Sequence, residues 1–248
     1  MRGNLDLWIE PFPQGRFPAL PCPRCTGSLG LVPKSLNVVE TAESRAGHRH
    51  EDWDPGWVEE HFSGLLRCTC GESVHVVGTT EQEFDPQTGG FDTRLRLCFA
   101  FPGPPLFQIP KGCPEKVKVE LEAAFQLFLP DPSAAANRLR AAVERLLDHF
   151  GVRKGTKHKR IALHNRIEQH FTRSHPRSAE LLLAVKWLGN EGSHRALFHR
   201  EVYLGFELIE DVLERLFVKR RTRLARRARA INRSRGPVRP RRPRGRSP

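Results

Sequence analysis

Apolar side chains recur at helical spacing through the second half of the chain. In residues 114–129 they fall at Val117, Leu121, Phe125 and Phe128, close to the 3.6-residue period of an amphipathic helix. The same kind of pattern predicts four further helices, at about 132–150, 161–171, 178–188 and 199–217. The candidate core positions of the last of these are Leu204, Ile209, Leu213 and Phe217. Because helices joined by short connections pack best as antiparallel neighbours, we expect an up-and-down bundle.

Residues that start and stop helices set the predicted boundaries. Pro130 ends the first helix, Asp131 is a candidate N-cap for the second, and Pro132 suits a first helical position. Gly151 is expected to end the second helix in a left-handed conformation. By the same reasoning, Gly189 is expected to end the fourth helix.

The first 110 residues show strand-like alternation instead. In 93–101, Leu95, Leu97 and Phe99 fall on one side and arginines on the other, the pattern of a half-buried strand. Residues 73–80 also predict a strand. Several prolines in 101–114 predict an extended linker between the two halves. The predicted fold class is therefore α+β, with a small antiparallel β segment followed by the helical bundle.

Charge divides the chain once more. The net charge is +13, from 41 Lys and Arg against 28 Asp and Glu. Residues 219–248 contain 14 Lys and Arg and no acid, so residues 1–218 have a net charge of −1. We therefore expect a β segment at 1–110, a bundle at 111–218 and a disordered basic tail at 219–248.

The tail is predicted to bind the phosphate backbone of RNA or DNA, because each cation that neutralises a phosphate releases counterions. The candidate contact residues are Arg220, Arg221, Arg223, Arg226, Arg227 and Arg229. A tail that only improves solubility is the alternative. The tail has too few large apolar residues for an interfacial membrane helix. The sequence shows neither a transmembrane segment nor a secretory signal, so we expect a cytoplasmic protein.

Four of the six cysteines form two close pairs. Cys22 and Cys25 stand in a C-x2-C arrangement, and Cys68 and Cys70 in C-x-C. Two such pairs predict a closed tetrahedral Zn2+ site that stabilises a segment poor in long apolar runs. His61 or His75 could replace one thiol, and two unrelated reduced pairs remain the alternative.

The segment GNEGSH, at 189–194, follows a helix in which Arg140 and Glu144 stand four residues apart. With IPKGCPEKVKVELEAAFQLF and RLRAAVERLLDHFG, this pattern resembles the domain of unknown function 4145 family over roughly residues 105–217. The resemblance implies a HEPN-like helical bundle, here preceded by a zinc-ribbon-like segment. Many HEPN-like proteins are metal-independent endoribonucleases of defence and toxin systems.

In such ribonucleases, an arginine stabilises phosphate charge, a polar residue follows it, and a histidine moves a proton. Asn190 and His194 match the last two, but Gly189 stands where the arginine belongs. Arg140 or Lys186 could replace that charge, so Arg140, Glu144, Asn190 and His194 are the candidate catalytic residues. In the alternative interpretation, Gly189 and Asn190 only end a helix and His194 packs between helices.

These observations favour a non-enzymatic, nucleic-acid-associated interaction module, with defence or restriction among its expected settings. A ribonuclease that uses His194 is the second hypothesis. A structural adaptor or homodimerisation module is the third.

Overall fold

The computed structural model describes residues 5–25, 27–156, 159–218 and 228–236. Its first half is a curled antiparallel β-sheet and its second half is helical, which confirms the α+β class. None of the helices in these ranges has the length and apolarity to cross a bilayer.

Six strands form one sheet within the described residues. They are β1 (Phe12–Pro13), β2 (Leu29–Leu31), β3 (Asn37–Glu40), β4 (Glu60–Cys68), β5 (Ser73–Asp85) and β6 (Gly90–Phe101). The spatial order is β1-β6-β5-β4-β2, with β3 also paired to β4, and every pair is antiparallel. Two short helices, α1 (Asp6–Ile9) and α2 (Ala42–Gly47), and a 3-10 turn at Pro55–Trp57 lie in this half. The sheet is larger than the small β segment that the sequence predicts.

A β-bulge changes which side of β6 faces the core. Leu95 and Leu97 are buried as predicted, but Val77 pairs with Phe99 and Gly78 pairs with Leu97, so Cys98 is an extra residue in β6. Phe99 is therefore turned outwards and is 36% exposed, and Ala100 takes the buried position. The prediction that Phe99 shares the buried side is wrong, because one inserted residue reverses the alternation.

The helical half contains α3 (Glu115–Leu127), α4 (Pro132–His149), α5 (Leu163–Asn165), α6 (Pro176–Glu191) and α7 (His199–Phe217). The helix α4 packs against α3, α6 and α7, and α6 packs against α7. The Asp131 carboxylate accepts a hydrogen bond from the Ala134 amide at 2.8 Å, so the predicted N-cap is confirmed. Gly151 has a φ of 69°, which confirms its left-handed conformation at the end of α4.

Three details of the helices differ from the prediction. Only Leu163–Asn165 of the third helix is α-helical, and a π-helical turn follows at Arg166–Phe171. The helix α6 continues to Glu191, so Gly189 lies inside it. Leu204 is 52% exposed, because Tyr203 and Phe206 point to the core instead.

The two halves are in direct contact. The Gln126 amide on α3 donates a hydrogen bond to the Ala100 carbonyl at 2.6 Å and accepts one from the Gly103 amide at 2.7 Å. The predicted linker also packs, since Leu106 and Phe107 are buried. The end of β6 is thereby fixed to the first long helix.

Candidate functional site

The two cysteine pairs meet at one end of the sheet. Cys22 and Cys25 lie on the turn before β2, whereas Cys68 ends β4 and Cys70 lies in the turn before β5. The register pairs Leu29 of β2 with Cys68 of β4, which brings the two turns together. The four Sγ atoms all lie within 4.8 Å of one another.

The spacing of the sulfur atoms suits a tetrahedral metal ion. The Sγ atoms of Cys22 and Cys70 are 3.7 Å apart, and those of Cys25 and Cys68 are 3.6 Å apart. Four thiolates at about 2.3 Å from a central ion have an S–S separation of about 3.8 Å. The cysteines are free, and the separation is far above the ~2.05 Å of a disulfide.

Backbone groups around the sulfurs are arranged for thiolates. The Arg24 amide donates to Cys22 Sγ at 3.4 Å, and the Gly27 amide donates to Cys25 Sγ at 3.3 Å. A Cβ atom at Gly27 would lie 3.1 Å from Cys68 Sγ and 3.3 Å from Cys25 Sγ. The glycine therefore lets the backbone approach two sulfurs closely, as a metal-binding turn requires.

The pKa values of Cys22, Cys25 and Cys68 are shifted, and not all in the same direction. The backbone hydrogen bond from Cys70 is the main cause that lowers the pKa of Cys68, to about 7. At Cys25 the Gly27 amide lowers the pKa, but the hydrogen bonds to Cys68 and Cys70 outweigh it and raise the pKa to about 12. Burial raises the pKa of Cys22. A bound cation would favour the thiolate forms of Cys22 and Cys25, whose pKa values are raised without one.

These four residues could hold a metal ion, as the sequence predicts. The histidine alternative is wrong for this cluster, because in the described residues it consists of the four cysteines alone. His61 and His75 are exposed on the sheet.

The GNEGSH segment has a different structure from the predicted helix end. Gly189 lies in the last turns of α6, where α6 crosses α4. A Cβ atom there would lie 2.5 Å from Arg140 Cβ and 2.8 Å from the Ala136 carbonyl oxygen. Position 189 therefore has no room for the arginine of a HEPN-like ribonuclease, and its glycine is explained by close helix packing.

Arg140 and Lys186 place two cations next to this crossing. The predicted pair is formed, with Arg140 Nη2 3.4 Å from Glu144 Oε1. Lys186 is only 7% exposed, and its Nζ lies 3.0 Å from the ring centroid of Trp187. Burial, and then the charge of Arg140, lower the pKa of Lys186.

His194 lies beyond the end of α6 and is exposed. Its imidazole makes no hydrogen bond or ion pair with any other part of the described chain, whereas its backbone amide donates to Glu191 at 2.8 Å. The interpretation of His194 as a packed residue between helices is therefore wrong. Its neighbours are fixed: Ser193 Oγ donates to Asn137 Oδ1 at 2.9 Å, and Arg195 pairs with Glu191 and Glu201.

Most of the predicted nucleic-acid contacts fall outside the described residues, namely Arg220, Arg221, Arg223, Arg226 and Arg227. Arg229 is described and is exposed.

Two family models match separate parts of the chain. Residues 122–234 match Domain of unknown function (DUF4145). This confirms the resemblance of the helical half. Residues 10–93 match Domain of unknown function (DUF8608), a family that the sequence analysis did not identify. No curated protein and no solved structure matches the chain.

The DUF8608 match covers both cysteine pairs and most of the sheet, and the DUF4145 match covers α4, α6 and α7. Sequence reasoning missed a buried ion pair in the second of these segments. Arg166, 5% exposed, donates to Asp148 at 2.8 Å and to the Val152 carbonyl at 3.0 Å. Its partners are 18 and 14 residues distant in sequence, beyond the reach of any local pattern.

Proposed function

We propose that the protein is a non-enzymatic, nucleic-acid-associated binding module. In this proposal a zinc-ribbon-like segment with a structural Zn2+ stabilises the sheet, a HEPN-like bundle serves as scaffold, and the basic tail binds the phosphate backbone of RNA or DNA. The observation that carries the proposal is the separation of charge, with 14 cations and no acid in residues 219–248 and a body of net charge −1. Binding by such a segment is electrostatic and independent of base sequence.

Zinc is proposed for the cysteine cluster because four thiolates in a closed tetrahedron are its usual structural ligands. Iron also binds four thiolates, so the donor set narrows the metal to these two. Four protein ligands leave no open position for a substrate, which supports a structural role. Free thiols suit a reducing compartment, and we propose that the protein acts in the cytoplasm.

The placement of the candidate catalytic residues supports a non-enzymatic role. Gly189 excludes the expected arginine by close packing, and Arg140 pairs with Glu144. The exposed His194 has no partner in the described chain that would orient it as an acid or base.

The test compares two full-length variants that lose the same six positive charges. In the first, Arg220, Arg221, Arg223, Arg226, Arg227 and Arg229 are replaced by Gln. In the control, six exposed body arginines with no ion pair in the described structure are replaced, namely Arg16, Arg45, Arg49, Arg153, Arg173 and Arg177. Affinity for a labelled duplex DNA and a labelled RNA is measured by fluorescence anisotropy between about 50 and 200 mM salt.

We expect the tail variant to lose most of the affinity, because each neutralised phosphate contributes about 0.9 to the slope of log K against log salt. Removing six contacts therefore lowers that slope by up to about 5. The control is expected to keep the wild-type slope. Equal losses in the two variants would contradict the assignment to the tail.

A further inference from the structure

One face of the sheet points away from the hydrophobic core. The opposite side of the sheet is buried and contains Phe62, Leu66, Val74, Val76, Leu95 and Leu97. We define the outer sheet face by the outward positions of β3 and β4, of β5 as far as Thr79 and of β6 from Phe99 onwards, whose register places them side by side. Its members are Asn37, Val39, His61, Ser63, Leu65, Arg67, Ser73, His75, Val77, Thr79, Phe99 and Phe101.

The outer sheet face contains a depression. A cavity of about 450 Å³ lies over the middle of β3, β4 and β5 and reaches the bulge of β6. Side chains of Val39, His61, Ser63 and Val77 contribute to its lining. The face is therefore indented at this place and open to solvent.

Two phenylalanine rings stand exposed beside this depression. Phe99 is 36% exposed and Phe101 is 59% exposed. Within the described residues neither ring packs against another aromatic ring. Being two residues apart on one strand, they are separated by about 6.6 Å along β6. Exposed aromatic rings on a sheet are a means of stacking unpaired bases, and every base offers a face for it.

Charge on the outer sheet face favours an anion. Arg67 is exposed and has no ion pair in the described structure, and His75, which pairs with Leu65, lies near it on the same face. His61 lies on this face too, about 20 Å further along β4. No member of the outer sheet face is acidic. Carboxylates begin further along the hairpin with Glu81 and Glu83, and these are already paired with Arg96 and Arg94.

We propose that the outer sheet face binds single-stranded nucleic acid, with bases stacked on Phe99 and Phe101 and a phosphate near Arg67. This inference rests on the proposed function and assigns to it a second contact, one that distinguishes unpaired strands from duplex. A duplex keeps its bases stacked on one another and offers no free face to the two rings. A protein partner is the competing occupant. The outer sheet face has no acid within its bounds, the next carboxylates along β5 are paired with arginines, and the same chain has a basic tail, all of which favour nucleic acid.

The experiment uses the full chain with Phe99→Ala and Phe101→Ala together. The control is Phe84→Ala with Phe91→Ala, a second exposed pair, one on β5 and one on β6, whose rings lie 5.6 Å apart near the hairpin turn. Binding of a labelled oligothymidylate, a labelled oligouridylate and a duplex of equal length is measured at one salt concentration. Light scattering gives the mass of each variant, and circular dichroism checks that each is folded.

We expect Phe99→Ala/Phe101→Ala to weaken single-strand binding by about 30-fold or more, because two base-stacking contacts are lost together. Duplex binding by this variant is expected to stay within about two-fold of the wild type. The same is expected of single-strand and duplex binding by the control variant. Unchanged single-strand binding, or an equal loss for duplex, would overturn the inference while the proposed function stands. A changed oligomeric mass with unchanged binding would assign the face to a protein contact and also overturn it. Failure of the wild type to bind any of the three ligands would contradict the proposed function itself.

Discussion

The Arg166 side chain is buried in the helical half, and its charge is balanced by one carboxylate. Asp148 accepts from Arg166 at 2.8 Å and pairs with Lys154 at 2.6 Å. Burial acts to raise the pKa of Asp148, but the hydrogen bonds from Lys154 and Arg166 outweigh it and leave the pKa below its usual value. The ionised carboxylate is therefore part of the stable folded state.

We predict that Asp148→Asn lowers the free energy of unfolding by about 1.5–3 kcal/mol at pH 7, the range for hydrogen bonds to charged groups. Because the folded-state pKa is lowered, this stabilisation is present above the unfolded pKa of about 3.9 and is lost as the pH falls through the folded value. Urea denaturation at several pH values between about 7 and 3 should therefore show the wild type and the variant converging at low pH.

The control for this prediction is Glu122→Gln. Glu122 is 3.5 Å from Lys118 on the exposed side of α3, where an ion pair contributes about 0–1 kcal/mol. A constant difference between Asp148→Asn and wild type from neutral to acid pH would show that the loss is steric and would contradict the ionic explanation.

At the scale of elements, the close approach of α6 to α4 depends on two glycines. Gly189 lets α6 lie against Arg140 and the Ala136 carbonyl. A Cβ atom added at Gly192, just after α6, would lie 2.8 Å from the Ser133 carbonyl oxygen. Backbone carbonyls cannot move aside as a flexible side chain can, so an added methyl group must separate the helices.

We predict that Gly189→Ala destabilises the protein by about 1–3 kcal/mol, the usual cost of overpacking. Gly47→Ala is the matched control, since Gly47 also lies in a helix and a Cβ atom there has nothing within 4 Å. The control is expected to be neutral or slightly stabilising, because alanine has the higher helix propensity. Equal midpoints for the two variants in chemical denaturation would rule out a close-packing role for Gly189.

Several elements could be predicted from the sequence because their signals are local. The Asp131 cap, the left-handed Gly151 and the bounds of α7 follow from residues next to them. The end of α6 could not be predicted in this way, because the same glycine that can stop a helix also permits close approach to α4. The bulge at Cys98 likewise depends on the register with β5, which the alternation in β6 does not contain.

The candidate site was likewise predictable only where its signal is local in sequence. The two cysteine pairs are recognisable by spacing, and the fold brings them together at 3.6–3.7 Å. The polar cluster at 189–194 looked equally dense in sequence. Its members diverge in the structure, since Gly189 packs on α4 while His194 is exposed beyond the helix end.

At the scale of the whole molecule, the cysteine cluster lies in the sheet half, and the long helices form the other half, which packs against it. Trp8 packs edge-on against Phe128 at 6.4 Å, and Gln126 bonds to the end of β6. Leu139, Leu146 and Ile209 of the helical half are completely or almost completely buried, in one hydrophobic core that is continuous with the buried side of the sheet. Most of the helical part of this core comes from α3, α4, α6 and α7, so we expect these helices to stay folded when the sheet is loosened locally at the cysteines.

We predict that metal removal loosens the sheet around the cysteines while the helices stay folded, because metal binding there stabilises the two turns that it joins. Treatment with a strong chelator, or the double change Cys25→Ser/Cys70→Ser, is expected to abolish bound metal in elemental analysis. Hydrogen exchange should then speed up in β2, in the end of β4 and in the turn before β5, with α4, α6 and α7 unchanged.

The matched control is Cys98→Ser/Cys113→Ser, which removes two thiols outside the cluster and is expected to keep both the metal and the protection of the sheet. Loss of protection in all the helices on metal removal would contradict a local effect of the metal, and retention of metal by Cys25→Ser/Cys70→Ser would contradict the four-cysteine site.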